Sequence, residues 1–324
     1  MSDGAPRVTV ALAAYNEREH LRGAVDSLLA QSMADFEILV VDDGSTDGCT
    51  ETIADIDDPR LKVHRQDNTG KSGALNYVLD HARGDYICIQ DADDRANPRR
   101  LEAQVAALDA EPDLGAVFCR HELIVDGRRR APRVRGADRE ECARMIGAMR
   151  NPGMDPTIMF RREATAHLRF DPELVIGHGE DHLLRIGEEF PMRVVDGCHY
   201  AYRIHDGNMS KGKGDAIVAY TQMVKDRAAE RRGVERSVIA KPGRLLRPEP
   251  MAGVTGHVTA STVELVALGR RREAISTAFG HLRGIWKYPN SWLPLAYSVV
   301  PSFILRRLRP DFAAVADHRD RYTT

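Results

Sequence analysis

Tyr86-Ile87-Cys88-Ile89-Gln90-Asp91-Ala92-Asp93-Asp94 is the stretch whose reading decides the fold. Its first half is a short apolar run that reads as a strand, and its second half places carboxylates on the turn leaving that strand. In open α/β sheets this carboxyl edge is where ligands bind. Asp91 and Asp93, one residue apart, can share one divalent cation, and a hard, oxygen-ligated cation keeps coordination positions for substrate phosphates. The pattern points to chemistry on a nucleoside diphosphate. An EF-hand does not fit: Glu102 falls at the twelfth loop position, but Arg95 stands at a ligand position and Ala96 replaces the glycine of the sharp turn. An isolated acidic turn also suits a solvated loop, so the surrounding segments decide.

Outward from this stretch, strand-like and helix-like segments alternate, the signature of an α/β domain with a mainly parallel sheet. Arg7 to Ala13 is β-branched and apolar, and Glu17 to Gln31 carries Leu21, Val25, Leu28 and Leu29 at helical spacing. Phe36 to Val41 is the next strand. It ends in Asp42-Asp43-Gly44-Ser45-Thr46-Asp47, a cluster of turn and cap residues that opens a helix over Thr50 to Asp55. Arg60 to Arg65 reads as a third strand, and Asn68-Thr69-Gly70-Lys71-Ser72-Gly73 leads into a helix over Ala74 to Ala82. Further on, Ala116 to Val125 begins a strand pair that turns at Asp126-Gly127. A basic loop follows, with Arg128, Arg129, Arg130, Arg133 and Arg135, suited either to solvent or to an anionic acceptor. A helix over Arg139 to Arg150 and a strand over Thr157 to Arg161 precede Gly177-His178-Gly179-Glu180-Asp181-His182, whose two acids at a helix start suit the macrodipole.

Composition limits the function classes. The chain has 324 residues, 43% of them hydrophobic and 29% charged, enough for a substantial core. A formal net charge of -2 gives no general attraction to nucleic acid, and none is expected as a partner. The five cysteines, Cys49, Cys88, Cys119, Cys142 and Cys198, are widely spaced with no CxxC pair, which supports neither a disulfide framework nor a zinc site. Met1 to Arg7 is short and polar, unlike a signal peptide. The longest apolar stretch, Ser291 to Leu305, is interrupted by Pro294 and Pro301 and is shorter than the roughly 20 residues that span a bilayer. A cytoplasmic location follows as the expectation. From about Asp215 the sequence turns rich in Ala, Arg and Leu, and residues 215–324 are expected to form a C-terminal helical region after a catalytic domain over 1–214. Residues 274–310 hold no acidic residue, while Arg283, Lys287, Arg306, Arg307 and Arg309 frame Trp286, Tyr288, Trp292 and Tyr297. Such a surface suits peripheral docking on the anionic inner face of a membrane, or packing on the catalytic domain.

Taken together, the segments resemble the family 2 inverting glycosyltransferases of the GT-A fold, the Rossmann-like α/β fold of nucleotide-diphospho-sugar transferases. The resemblance is carried by Ala14-Tyr15-Asn16-Glu17, Val40-Val41-Asp42-Asp43-Gly44-Ser45-Thr46-Asp47, and Asn68-x-Gly70-x-x-x-Ala74-x-Asn76. It continues through Gly84-Asp85-Tyr86 to Asp91-Ala92-Asp93-Asp94, then Glu180-Asp181, Tyr202-Arg203-Ile204-His205 and Asn208-Met209-Ser210. It spans residues 7–210. Two departures stand out. Ala13 occupies the place of a proline frequent in the family, and the Gln-x-x-Arg-Trp motif of processive polymer synthases is absent, so one sugar per encounter is expected.

The resemblance implies a donor such as a UDP-, GDP- or dTDP-sugar, a divalent cation such as Mn2+ or Mg2+, and a saccharide or lipid-linked acceptor used in cell-surface polysaccharide or glycolipid assembly. A cation would offset the charge that builds on the departing diphosphate. Asp93 is the first choice of ligand, with Asp91 on the metal or the donor ribose. His205 either completes this site or is a structural hydrogen-bonding residue. Inversion needs a carboxylate to take the acceptor proton; Asp181 is the expected base, with Glu180 second. Asp42 and Asp43 are expected at the nucleobase, with Ala14, Tyr15, Glu17 and Lys71 lining the pocket and Ala92 beside the donor. Asn16 and Asn76 either touch ligand or hold the loops. Two rivals remain: a sugar-phosphate nucleotidyltransferase, which would carry a glycine-rich basic loop where Ala13-Ala14-Tyr15-Asn16 stands, and a degenerate relative that binds nucleotide sugar or a partner without turnover.

Overall fold

The computed structural model describes residues 4–125, 127–205, 214–235, 252–282 and 289–322. Strands β1 (Val8–Ala14), β2 (Phe36–Asp42), β3 (Leu61–Arg65) and β4 (Tyr86–Asp91) pair in parallel in the order β3-β2-β1-β4. Beyond β4 the sheet changes sense. The remaining strands are β5 (Arg95–Ala96), β6 (Ala116–Val125), β7 (Arg128–Arg130), β8 (Ile158–Arg161) and β9 (Met192–Arg203); β8 is antiparallel to both β4 and β6, and the short β5 is antiparallel to β9. The sheet is therefore parallel in the half that the βα repeats build and antiparallel in the half that the irregular middle of the chain builds.

Strand periodicity divides the core into two layers. Along β1, Val8, Val10, Leu12 and Ala14 face one apolar cluster while Ala11 faces the other, and along β4 Tyr86 and Cys88 alternate with Ile87 and Ile89 in the same way. Helix α1 (Leu21–Leu29) buries Leu21, Ala24, Val25 and Leu28, one stripe at the spacing of a helix packed on a sheet. It shares its layer with α3 (Arg100–Ala110), which supplies Leu101, Val105 and Leu108. The opposite layer holds α2 (Gly70–His81), α4 (Arg139–Gly147) and α5 (His178–Glu189), with Leu75, Ile146 and Leu183 among its buried residues. The helix expected over Thr50 to Asp55 is a 3-10 turn over Cys49–Ile53.

Polar side chains are also buried within these layers. Arg100 is fully buried between them; its guanidinium donates to Gln104 Oε1 at 3.0 Å, Gln90 Oε1 at 2.8 Å, and the carbonyls of Ile89 and Pro156 at 2.8 Å each. It thereby ties α3 to β4 and to the turn before β8, and carbonyl and amide dipoles take the place of the hydration it gives up.

The chain divides into two compact units. One takes in the described parts of Met1–Cys119, Ala137–Val195 and His199–Val238; the other takes in those of Arg120–Gly136, Asp196–Cys198 and Ile239–Thr324. The first unit thus runs past residue 214 and includes α6 (Gly214–Arg232), because Val224, Ala228 and Ala229 of that helix are buried in the same apolar layer as α5. The second unit contains α7 (Ala252–Ala267), α8 (Arg271–Leu282), α9 (Leu293–Val299), α10 (Ser302–Leu308) and α11 (Pro310–Asp317). Its core gathers Val263, Val266, Ala274, Leu305, Phe312 and Val315 together with Val134 from the basic loop. In that loop Arg129 pairs with Glu122 at 2.9 Å, and Arg133 pairs with the buried Glu264 at 2.8 Å. These two arginines are committed to structural contacts.

Glu37 on β2 gives the first unit a defined sensitivity to acid. It accepts from Thr9 Oγ1 at 2.9 Å, Arg83 Nη2 at 2.6 Å and Lys62 Nζ at 2.8 Å. Burial alone would raise its pKa, but the hydrogen bonds from Arg83, Lys62 and Thr9 outweigh burial and hold it down to about 2. Because the folded value lies below the unfolded one, this stabilisation is complete above the unfolded carboxylate range and is lost as the pH falls toward 2. Glu37→Gln should cost about 2 kcal/mol at pH 7 and much less near pH 2, read from urea unfolding at the two pH values.

Candidate functional site

Parallel register sets three strand ends side by side. Ala14 of β1 lies opposite Asp42 of β2, and Ala13 lies opposite Asp91 of β4, so the polar segments that follow these strands open on one edge of the sheet. Asp42 is fully buried, accepts from the Ser45 amide at 2.8 Å and pairs with Arg65. Asp43 Oδ1 accepts from Gln66 Nε2 at 2.8 Å and from the Thr69 amide at 2.9 Å. Gly44, directly after them, turns the chain at φ +78°, and a Cβ there would come within 2.9 Å of the Asn68 amide nitrogen. Asn16, in the left-handed region at φ 56°, donates its backbone amide to Ser45 Oγ at 3.0 Å and accepts from the Thr46 amide at its Oδ1 at 2.9 Å. Asn76 clamps Phe170 with Nδ2 on its carbonyl at 2.8 Å and Oδ1 on its amide at 2.9 Å. Both asparagines hold loops in place. Tyr15 is half exposed beside this edge, while Ala14 and Ala92 are buried.

The carboxylates that follow β4 are crowded. Asp91, Asp93 and Asp94 can each present a carboxylate oxygen within 4.8 Å of the others, and in the neighbouring set a Glu17 oxygen and one ring nitrogen each of His20 and His205 come equally close. Asp93 links the two sets through His205, whose Nε2 lies 2.9 Å from Asp93 Oδ2. Strand β9 holds the turn from behind: Tyr200 Oη donates to Asp94 Oδ2 at 2.7 Å, the Arg203 amide donates to Asp94 Oδ1 at 2.6 Å, and Arg203 Nε donates to the Asp93 carbonyl at 2.8 Å. Burial, with the charges of Asp93 and Asp91, raises the Asp94 pKa well above the carboxylate range. Burial and the charge of Asp93 likewise raise Glu17 to about 7. Carboxylate oxygens and one imidazole nitrogen form a hard donor set that fits Mg2+ or Mn2+.

Lys71, on the first turn of α2, approaches Asp91 from the opposite layer. Its Nζ lies 2.6 Å from Asp91 Oδ1 and 3.5 Å from Asp155 Oδ2. Burial opposes its charge, but Asp91 and Asp155 more than offset this, and its pKa is raised. Asp155 lies in the turn that Arg100 anchors through the Pro156 carbonyl. His178, at the start of α5, is buried and close enough to Lys71 and Asp155 to feel both charges; burial first, and Lys71 second, lower its pKa.

The two acids expected to serve as base stand on the same first turn of α5. Asp181 is buried, with Oδ2 2.8 Å from Arg185 Nε and Oδ1 3.3 Å from Arg231 Nη1. It lines a cavity of about 520 Å³ together with Arg169, Phe170, Asp171, Arg227 and Glu230. Glu180 accepts from Thr221 Oγ1 of α6 at 3.4 Å, and burial raises its pKa. Asn208, Met209 and Ser210 fall outside the described residues.

Sequence reading assigned no role to Tyr200, Asp94, Asp155, His178 or His20. Asp94 was visible as the last acid of the turn. The others carry no local signal, because β9, the 155–157 turn and the start of α1 reach this edge only through sheet pairing and helix packing. Tyr200→Phe removes the hydroxyl donor to Asp94 and should lower stability by about 1–2 kcal/mol while weakening binding of added Mn2+, both measured by melting with and without metal.

Comparison with known proteins agrees with this geometry. Residues 9–170 match the family described as Glycosyl transferase family 2. The succinoglycan biosynthesis protein ExoO of Rhizobium meliloti is 31% identical over 228 residues, 64% of this chain and 64% of that protein. The putative glycosyltransferase EpsE of Bacillus subtilis is 39% identical over 108 residues, 32% of this chain and 39% of that protein. The putative teichuronic acid biosynthesis glycosyltransferase TuaG of Bacillus subtilis is 34% identical over 108 residues, 32% of this chain and 43% of that protein. The chain therefore spans less than two thirds of the length of these relatives. Among solved structures, S. aureus TarS 1-349 in complex with UDP-GlcNAc superposes with a TM-score of 0.57 at 17% identity, covering 98% of this chain and 93% of that one. The same protein in complex with UDP gives a TM-score of 0.55 at 17% identity, over 90% and 89% of the two chains. The sheet with its aligned acidic strand ends is thus a GT-A-like fold, and with half of its length matching the family, the chain belongs to glycosyl transferase family 2.

Proposed function

We propose that the protein is a metal-dependent, inverting, non-processive glycosyltransferase that moves one sugar from a nucleoside diphosphate sugar to an acceptor hydroxyl. The observation that carries this reading is the shared sheet edge on which Asp42 and Asp43 follow one strand and Asp91 and Asp93 another, with His205 2.9 Å from Asp93. UDP is the favoured donor nucleotide because S. aureus TarS, which shares the fold, is described with UDP and with UDP-GlcNAc. ExoO and TuaG, by their names, point to polysaccharide assembly, with a saccharide or lipid-linked acceptor.

Asp93, Asp91 and His205 would hold the cation, which when bound neutralises charge on the leaving diphosphate. Glu17 and Lys71 border the same donor site, with Lys71 already held against Asp91. During transfer the acceptor oxygen bonds to the anomeric carbon, the bond from that carbon to the phosphate oxygen breaks with its electron pair leaving on the diphosphate, and the hydroxyl proton passes to a carboxylate. Asp181 is the first assignment for that carboxylate. The second candidate, Glu180, has one observation in its support: burial raises its pKa, whereas both oxygens of Asp181 face guanidinium groups.

A thermal-shift panel of UDP, GDP, dTDP and CDP, each with and without Mn2+ or Mg2+, tests the donor reading. One nucleotide should raise the melting temperature in a metal-dependent way. Asp93→Asn should abolish that shift, and Asp181→Asn should preserve it while lowering turnover by 100-fold or more, on the order expected for a general base. Turnover surviving Asp181→Asn but lost in Glu180→Gln would exchange the two roles. A stabilised protein with no turnover on any acceptor would indicate a non-catalytic binder.

The second unit supports peripheral contact with an anionic membrane. Trp292, Leu293, Val299, Phe303 and Leu308 are large apolar residues exposed to solvent, Phe303 at 68% and Leu308 at 63%, and Arg306, Arg307 and Arg309 lie within the same run. Among the described residues no helix is long and apolar enough to cross a membrane. Arg283, Trp286, Lys287 and Tyr288, part of the same sequence expectation, lie outside the described residues. Phe303→Ser with Leu308→Ser should reduce flotation with phosphatidylglycerol vesicles several-fold relative to the unsubstituted protein. Equal flotation of the two would refute the contact.

A further inference from the structure

Asp155 is the least satisfied acid of the first unit's polar centre. Its Oδ1 is buried and has no hydrogen-bond partner among the described residues, and its Oδ2 meets Lys71 Nζ at 3.5 Å, beyond a well-formed charge-assisted bond. The side chain nevertheless keeps 16% of its surface open. A buried carboxylate with spare acceptor capacity is costly unless a donor arrives. The turn carrying it is not loose: the Pro156 carbonyl is held by the buried Arg100, and the Thr157 carbonyl accepts from Gln104 Nε2 at 2.9 Å.

Two residues at the start of α5 bear on this acid. Gly179, on the first turn of α5, passes so close that a Cβ there would fall 2.4 Å from Asp155 Cγ, so only glycine leaves room for the carboxylate. His178, one residue earlier, is 6% exposed and also has an unpartnered buried atom, Nδ1. Lys71 connects Asp155, at 3.5 Å, to Asp91, at 2.6 Å, and hence to the acidic turn after β4. Asp155 therefore stands one ammonium away from the acids assigned to the donor diphosphate and ribose. The part of a nucleotide sugar beyond the diphosphate is rich in hydroxyl donors, the groups that an acceptor-only carboxylate lacks here.

We propose that Asp155, steadied by Lys71, is a specificity-determining residue that accepts a hydroxyl hydrogen bond from the glycosyl group of the donor. This rests on the donor reading above and extends it from the nucleotide to the sugar. The carboxylate makes no covalent step; it fixes the ring so that the anomeric carbon faces the acceptor side. A site that must hydrogen-bond a hydroxyl discriminates strongly against a ligand that lacks it, because its own polar group is then left unpaired.

The test compares calorimetric binding of UDP with that of UDP-glucose, UDP-galactose and UDP-GlcNAc in Mn2+, for the unsubstituted protein and for Asp155→Asn. At least one sugar nucleotide should bind the unsubstituted protein more tightly than UDP. In Asp155→Asn, UDP affinity should stay within about twofold while that sugar-dependent gain falls about tenfold, the usual size of one hydrogen bond to a charged group. Asp155→Ser, smaller and without charge, should show the same selective loss if Asp155→Asn folds poorly. Equal weakening of UDP and sugar nucleotide would overturn the proposal in favour of a structural role through Lys71, and an undiminished gain would mean that buried water satisfies Asp155. If no sugar nucleotide exceeds UDP in the unsubstituted protein, the anchor is refuted while the donor-base reading stands. If no uridine nucleotide binds at all, the donor reading fails.

Discussion

Mutual repulsion among Asp91, Asp93 and Asp94 is the constraint around which the first unit is arranged. Three carboxylates able to place oxygens within 4.8 Å of one another at a strand end would push the turn apart unless each were held by something else. Each has its own restraint. Asp94 is sunk behind the strand end and held by Tyr200 and the Arg203 amide, Asp93 faces His205, and Asp91 leans on Lys71. The cost of burying Asp94 is visible in its raised pKa, and it is borne by β9, a strand that starts more than 90 residues after the turn it supports. A hard cation is the natural complement of such a turn, because it removes the repulsion that the protein side chains only contain.

The two-sided sheet explains how so many charges can sit close to an apolar core. Alternating residues of β1 and β4 feed two separate layers, and the polar residues collect where the strands stop. Arg100 crosses from one layer toward the other and satisfies carbonyls of β4 and of the 155–157 turn together. It joins the position of Asp155 to the position of Asp91 without any side chain of the candidate site taking part. Lys71 does the same from the α2 side by direct contact. The acids at the centre are thus positioned by cations from two directions, one behind the sheet and one at its edge.

Much of this was legible along the chain. β1, β2, β3, β4 and β8, with α1, α2, α4 and α5, follow from apolar periodicity and turn residues, which are local properties. The clustering of Asp42, Asp43, Asp91 and Asp93 on one edge follows from strand order and parallel register, which the βα repeat implies. Less legible were β5 and β9 in the antiparallel half of the sheet, the β6–β7 pair and β8 of that half being expected from the sequence. β9 mixes apolar residues with Arg193, Asp196 and His199, so its pattern does not announce a strand, and its role in holding Asp94 arises only on pairing. The continuation of the first unit through α6 was hidden for a similar reason. An Ala-rich helix buries small residues such as Ala228 and Ala229, and composition alone does not say against what.

By itself the sequence determined the family, the βα order and the chemical character of the strand-end loops, because these depend on residue type and spacing over a few turns of chain. Only the tertiary structure decided which hydrogen-bond donors each acid already meets. Asp181 lies between Arg185 and Arg231, and Asp42 is taken by Arg65 and Ser45, whereas Asp155 retains an unpartnered oxygen beside Lys71. The reason is physical: a carboxylate's availability is set by the hydrogen-bond donors and desolvation around it, and those donors come from segments remote in sequence that meet only in the fold.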